Sequence, residues 1–224
     1  MVINNNIMLS ILIPTVVGRE IELGKLIHKI QMSYGDVKWE ITITKFADGS
    51  EWGWCHADCP IEIYFYKDNK EMTIGEKREK LYNGCNGKFA WEIDDDDDIA
   101  DNAIELILEA IKSNPDVDVI SFEEYCNMDG KEYKSNHSAT YSGWEGEGHT
   151  EFADGFHFHR TPFFKDVIRT ELAKSVPISH CRFGEDHIFA NDLHPKIQSE
   201  IHISEPLYRY IHISSPHNER YGIV

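Results

Sequence analysis

The sequence predicts an α/β fold wound around a mostly parallel central sheet. Three observations carry this. Residues 8–15 (MLSILIPT) form a short, continuous apolar run that stops at Pro14 and Thr15, as a central parallel strand would. Strand and helix patterns alternate over the first 122 residues. Residues 101–113 (DNAIELILEAIKS) read as an amphipathic helix running into the apolar strand 116–122 (DVDVISF).

After the first strand, Ile21, Leu23, Leu26, Ile27 and Ile30 recur at helical spacing over 21–32, and 39–46 (WEITITKF) alternates as a strand, completing a β-α-β unit. Residues 61–66 (IEIYFY) are a further strand, 74–83 a helix, and 88–93 (KFAWEI) a strand that runs into five consecutive aspartates, Asp94 to Asp98. Composition changes near Glu123. From there to residue 155 the chain is rich in Gly, Ser, Asn and Glu, including 142–149 (SGWEGEGH), and reads as loop or short hairpin that serves either the acceptor side of a site or a surface excursion. Residues 162–175 look helical, 184–192 begin another helix, and 200–213 are strand-like material, with the last residues a tail.

The 224 residues suit one domain, with 41% hydrophobic and 27% charged residues able to bury a core without the signature of disorder. A net charge of −17 repels phosphate backbones and anionic headgroups, which disfavours general nucleic-acid or membrane-surface binding. A local basic groove from Lys131, Lys134, Arg160, Lys165, Arg169 and Lys174 is the one route around this. The five scattered cysteines do not make a disulfide framework and fit a reducing compartment; Cys55, His56 and Cys59 lack a second ligand pair and read as incidental. The run 7–17 is broken by Pro14 and has no basic leader, so no membrane span or signal peptide is expected and the location reads as cytoplasmic, the host cytoplasm for a viral chain.

The aspartate run follows an apolar strand and precedes an apolar-faced helix, so its carboxylates crowd at a strand end. That crowding costs free energy unless a cation offsets it. Oxygen-only ligands suit Mg²⁺ or Mn²⁺, and such an ion takes one or two carboxylates and completes its shell with substrate phosphates. The combination points to a nucleotide-diphosphate substrate.

At this point the ordered motifs resemble the GT-A fold, family 2 type of nucleotide-sugar glycosyltransferases. The resemblance is carried by residues 8–15 with Arg19 and Leu23, by Ile74, Gly75, Glu76, Lys77 and Arg78, by Asn86, Gly87, Lys88 and Phe89, and by Ile93 followed by Asp94 to Asp97. It continues through Gly184, Glu185 and Asp186, similar to the family's E-D motif, and 206–210 (PLYRY), similar to its closing strand. It implies a GT-A-like, Rossmann-type sandwich forming a single domain over 1–224. About 1–122 would bind the nucleotide-sugar and about 123–224 the acceptor.

What the resemblance implies for residues follows position by position. Asp94 matches the first aspartate of the D-x-D motif, near ribose and metal; Asp96 matches the one that binds the divalent ion; Asp97 lies close to the sugar. In an unbroken run the register can slip by one, with Asp95 and Asp98 as substitutes. Pro14, Thr15, Arg19, Asp48, Lys77 and Arg78 join Asp94, Asp95 and Asp97 as donor-binding candidates, with Glu79 standing where the family often has Asn. His212 resembles a C-terminal metal ligand of some members, with a surface histidine the other reading.

The chemistry is that of a metal-dependent, inverting transfer. A divalent cation stabilises the departing nucleoside diphosphate, and a carboxylate on the opposite face of the sugar takes the acceptor proton. Asp186 is the candidate base, with Glu185 orienting the acceptor; both also suit a helix N-terminus. Trp144 and Trp54 are candidate sugar-stacking platforms, with core packing the other reading of each. His157 and His159 lack the following acidic residue of a metal-binding set; the resemblance implies that 156–160 is the strand before the acceptor-side helix and that these two histidines, facing one way along it, line the acceptor pocket. The donor expected is a UDP-sugar, and the acceptor a glycan, a protein or a modified nucleobase in DNA. Two other functions fit part of the pattern: a nucleotidyltransferase, although the Gly-rich loop is missing at 14–18, and a non-catalytic nucleotide-sugar or divalent-ion binding protein.

Overall fold

The computed structural model describes residues 7–35, 37–146, 150–181 and 183–213. In chain order the elements are β1 (Leu9–Val16), α1 (Glu20–Tyr34), β2 (Glu40–Lys45), β3 (Glu51–His56), β4 (Ile61–Asp68), α2 (Ile74–Gly84), β5 (Phe89–Glu92), β6 (Asp98–Ile99), α3 (Ala103–Ser113), β7 (Val119–Met128), β8 (Lys131–His137), β9 (Trp144–Glu145), β10 (Phe158–Arg160), β11 (Val167–Arg169), α4 (Thr170–Lys174), α5 (Glu185–Leu193) and β12 (Glu200–His212). The expected C-terminal tail from residue 214 and positions 147–149 of the Gly-rich stretch lie outside the described residues.

One sheet runs β2-β3-β4-β1-β5-β11-β7-β8-β10-β9, with β12 beside β7 and β6 beside β12. Its centre is parallel, β4 and β5 flanking β1. Alternation along β1 builds a core on both faces. Leu9, Ile11 and Ile13 pack with Leu23, Leu26, Ile27 and Ile30 of α1 and with Ile104, Ile107 and Ile111 of α3. Leu12 packs with Leu81 and Tyr82 of α2, Leu172 of α4 and Phe189 of α5. Each such side chain contributes about 1.5–3 kcal/mol on burial.

The mostly parallel sheet is not observed. Outside the centre, among the described residues, only β7 with β12 and β8 with β10 run parallel, and the other pairs are antiparallel. Three local readings explain the difference. The strand at 39–46 does not close a β-α-β unit; β2 forms an exposed edge hairpin with β3, and β4 is the strand that returns to β1. β3 escapes sequence reading because Gly53 interrupts it, yet that glycine is required, since a Cβ there would lie 1.9 Å from the Phe65 ring.

The helix expected over 162–175 is instead mostly strand and loop. β11 lies between β5 and β7, antiparallel to both, and only α4 is helical. Phe163 and Phe164 are buried in the turn before β11 and Val167 and Ile168 in β11 itself, so four apolar residues at near-helical spacing mimic a helical stripe although only the last two are strand. The change near Glu123 is likewise not a loop boundary. β7 continues to Met128 and returns as β8 through Asp129 and Gly130, both at positive φ, a two-residue turn whose Asp-Gly signal stands in the sequence.

Candidate active site

β1 ends at the sheet centre, and Pro14 and Thr15 open there onto a cleft of about 340 Å³ that Arg19, Lys77, Asp94, Asp95 and Asp96 also line. Ligands of open α/β sheets bind outside the carboxyl ends of strands. Lys70, Met72, Thr73 and Phe183 line the cleft too, although sequence reading passed them over. The Thr73 to Glu76 spacing was a legible signal, because the two form a reciprocal capping box at the start of α2.

The five aspartates are five different environments. The chain turns directly after β5, the Asp97 N–H donating to the Asp94 carbonyl at 3.1 Å. Asp94 and Asp96 keep side chains 28% and 46% exposed. Asp95 points inward, accepting from the Thr15 hydroxyl at 2.5 Å and the Arg19 guanidinium at 2.6 Å, and burial raises its pKa. Arg19 reaches Asp96 as well, at 2.8 Å. Asp97 turns away from the cleft. Its carboxylate accepts from Lys165 at 3.0 Å, Tyr208 at 2.7 Å and the Ile211 N–H at 2.7 Å, so its acceptors serve the fold. Asp98 pairs with Lys29 at 2.8 Å.

The basic pair of α2 is buried. Lys77 bonds Asp68 at 2.6 Å and the Thr15 carbonyl at 3.1 Å, bracing the end of β1. Arg78 does not line the cleft. Its guanidinium pairs with Glu92 and Glu185, stands 3.8 Å from Asp94, and lies over the Phe164 ring at 4.5 Å. Burial pushes Glu92 up to about 7 and raises Glu185. Asp48 lies in the β2–β3 turn, where its carboxylate accepts from the Ser50 N–H and hydroxyl, and these bonds lower its pKa.

Gly184 is left-handed at φ +78°, which makes a sharp turn before the Glu185–Asp186 pair, and α5 starts immediately after it. Glu185 is buried against Arg78, whereas Asp186 is half-buried and accepts only from the His187 N–H, at 2.8 Å, among the hydrogen bonds of the described residues. Trp144 is brought beside this turn, its ring 5.1 Å from His187, 4.9 Å from Phe163 and under Arg160 at 4.6 Å. The two histidines of 156–160 have separate neighbours. His157 meets Tyr133, and His159 stacks between Tyr141 and Phe152 while bonding Asp154 at 2.9 Å, an acid upstream of the pair rather than after it. Trp54 stacks on His56 within the β3–β4 region. His212 sits at the end of β12 beside Tyr210. Lys165 is buried, so it cannot line a solvent-facing basic groove.

Sequence reading missed the ionic chain behind the site. Lys165 contacts Asp97 and Glu124, and fully buried His137 lies between Glu124 at 3.3 Å and Asp166 at 3.2 Å. The two carboxylates outweigh desolvation and push His137 up to about 9. A pKa above the unfolded value of about 6.5 means that the stabilisation is complete below about 6.5 and is lost as pH rises through about 9. Urea unfolding from pH 6 to 10 is expected to lose roughly 3 kcal/mol across that window in the native protein and much less in His137→Gln; equal slopes would contradict the assignment. The variant is needed because Glu92 and Asp97, both near 7, impose their own decline at lower pH.

Among the described residues no three His, Cys, Asp or Glu side chains converge as a ready-made ion site. Asp94 and Asp96 nonetheless fit a hard divalent ion, because they present two carboxylates to the cleft and leave the remaining positions to phosphate oxygens and water.

The two-faced α/β sandwich, with its cleft at the end of β1 beside an acidic turn, has the GT-A-like fold that the sequence led us to expect. Solved structures of S. aureus TarS share it. The 1–349 region in complex with UDP-GlcNAc aligns with TM-score 0.59 and 13% identity over 95% of this chain and 60% of that one. The complex with UDP gives 0.57 and 12% over 96% and 62%, and a longer TarS structure gives 0.57 and 12% over 96% and 38%. The chain thus spans about 60% of the length of the 1–349 structures. No family model matches the sequence, and no curated protein matches it. Among the described residues no helix is long and apolar enough to cross a membrane.

Proposed function

We propose that this protein is a metal-dependent, inverting, family 2-like glycosyltransferase that moves a sugar from a UDP-sugar to an acceptor hydroxyl. The observation that carries the reading is the link across the site. Asp94 at the cleft and Glu185 beside Asp186 meet on one buried guanidinium, so a leaving-group side and a base side are held in one frame. The likeness to TarS in complex with UDP-GlcNAc and with UDP supports the donor class.

In this reading Pro14, Thr15 and Arg19 form the floor and rim against which the donor lies, and Lys77 holds the end of β1 in place beneath it. Asp94 and Asp96 would hold Mn²⁺ or Mg²⁺, which supplies charge stabilisation to the leaving diphosphate. Asp186 accepts the acceptor proton as the hydroxyl attacks the anomeric carbon from the face opposite the diphosphate, so the configuration inverts. Trp144, beside α5, offers a ring face to a sugar acceptor. The free thiols of all five cysteines suit the reducing cytoplasm.

Calorimetry with UDP and UDP-GlcNAc in Mn²⁺, Mg²⁺ or EDTA tests the donor site. Metal-dependent binding is expected in the native protein, with Asp96→Ala weakening it by about 10²-fold, the loss of a charge-assisted contact worth roughly 3 kcal/mol. Binding that ignores EDTA, or that survives in Asp96→Ala, counts against the metal assignment; no nucleotide binding at all sinks the donor assignment.

A further inference from the structure

We infer that Arg78 is a positioning residue that sets Asp186 relative to Asp94 and does not touch the donor. The inference rests on the transferase reading and deepens it. Arg78 is 6% exposed and absent from the cleft lining, so a donor seated against Thr15 and Asp96 does not reach it.

Its guanidinium is directed at three carboxylates on three parts of the chain. Nε meets Glu92 at the end of β5, Nη1 meets Glu185 in the first turn of α5, and Nη2 faces Asp94 at 3.8 Å. Only a planar fork of fixed N–H directions can address three separate acceptors at once; an ammonium on a flexible stem is a single point charge. The ring of Phe164 under the guanidinium also stacks on Phe189 of α5 at 4.0 Å, so the same side chain that seats Arg78 also seats the helix.

The start of α5 depends on this link. Gly184 precedes the helix without a side-chain cap, and the Glu185 carboxylate on Arg78 ties the first turn to α2 and, through the Arg78–Glu92 pair, to the end of β5. Asp186 follows in the same turn, so its distance from the leaving-group side is set through Glu185 and Arg78. Without the cation, Glu92, Glu185 and Asp94 would repel one another in a poorly solvated site, and the turn would move. Glu185 is on this account an anchor for the base and not a contact to the acceptor.

The test follows Mn²⁺-supported hydrolysis of UDP-GlcNAc together with UDP binding by calorimetry. In Arg78→Lys, kcat is expected to fall about 10²-fold, the cost of roughly 1 Å of misplacement, with KM for UDP-GlcNAc and Kd for UDP changed less than about threefold. Glu185→Gln should show the same split, and the double variant should lose no more than the worse single one. An increase in KM and Kd that parallels the loss of kcat marks a donor contact and overturns the inference, as does an unchanged kcat. Should Arg78→Lys lack a native circular dichroism spectrum, the Glu185→Gln split decides by the same criteria. A native protein that hydrolyses no nucleotide-sugar instead refutes the transferase reading. Positioning is then judged by amide exchange in the first turn of α5, which Arg78→Lys must speed relative to α3, equal rates overturning it.

Discussion

Asp186→Asn is expected to lower turnover by about 10³-fold while leaving UDP binding within about threefold of native. A positioned general base supplies about 10²–10⁴-fold, and the amide keeps the shape and the local hydrogen bond while losing proton affinity. Asp186 is suited to the task because it is half-buried and, among the described residues, accepts a hydrogen bond only from its neighbour's N–H, whereas Glu185 one residue earlier is consumed by Arg78. Single-turnover transfer, with calorimetry of UDP on the same sample, checks this. Retained turnover would reduce Asp186 to a helix-end residue. Donor binding with no transfer in the native protein itself would favour the non-catalytic binding function, and release of pyrophosphate from a nucleoside triphosphate would favour a nucleotidyltransferase.

The second large effect is on stability. Lys165→Met is expected to cost about 3–5 kcal/mol in urea unfolding, because it leaves Asp97 and Glu124 buried without their shared cation. The ammonium also lies 3.8 Å over the Tyr210 ring and 4.6 Å over Tyr208, contacts that a thioether replaces only in part. Adding Asp97→Asn should change this loss little, because Asp97, already pushed up to about 7 by burial beside Lys165, takes up a proton once the cation is gone and Glu124 is the charge left stranded. A single variant as stable as the native protein would show that the chain of charges is dispensable.

The same residues show how far the sequence could be read. The apolar strand 8–15, the helices at 21–32, 74–83 and 101–113 and the final strand stand where periodicity placed them, because each faces a core whose spacing the local pattern already carries. The edge hairpin and β11 were hidden by particular residues, Gly53 under Phe65 and the apolar residues of the buried turn and short strand at 163–168, where period and propensity mislead. Within the candidate site the aspartate run and the Gly-Glu-Asp turn were legible as residue types, yet their roles could not be ordered from spacing.

What the sequence by itself determined is the class of architecture, the acidic turn at a strand end and the glycine-led helix that carries Asp186. These are local properties of chain direction and side-chain chemistry. Only the tertiary structure decided which aspartates face the cleft, that Arg78 ties Asp94 to Glu185, and that Asp97 serves Lys165 and Tyr208. Those assignments depend on partners up to 111 positions away along the chain. A buried charge takes the nearest opposite charge in space, and sequence spacing does not encode that distance.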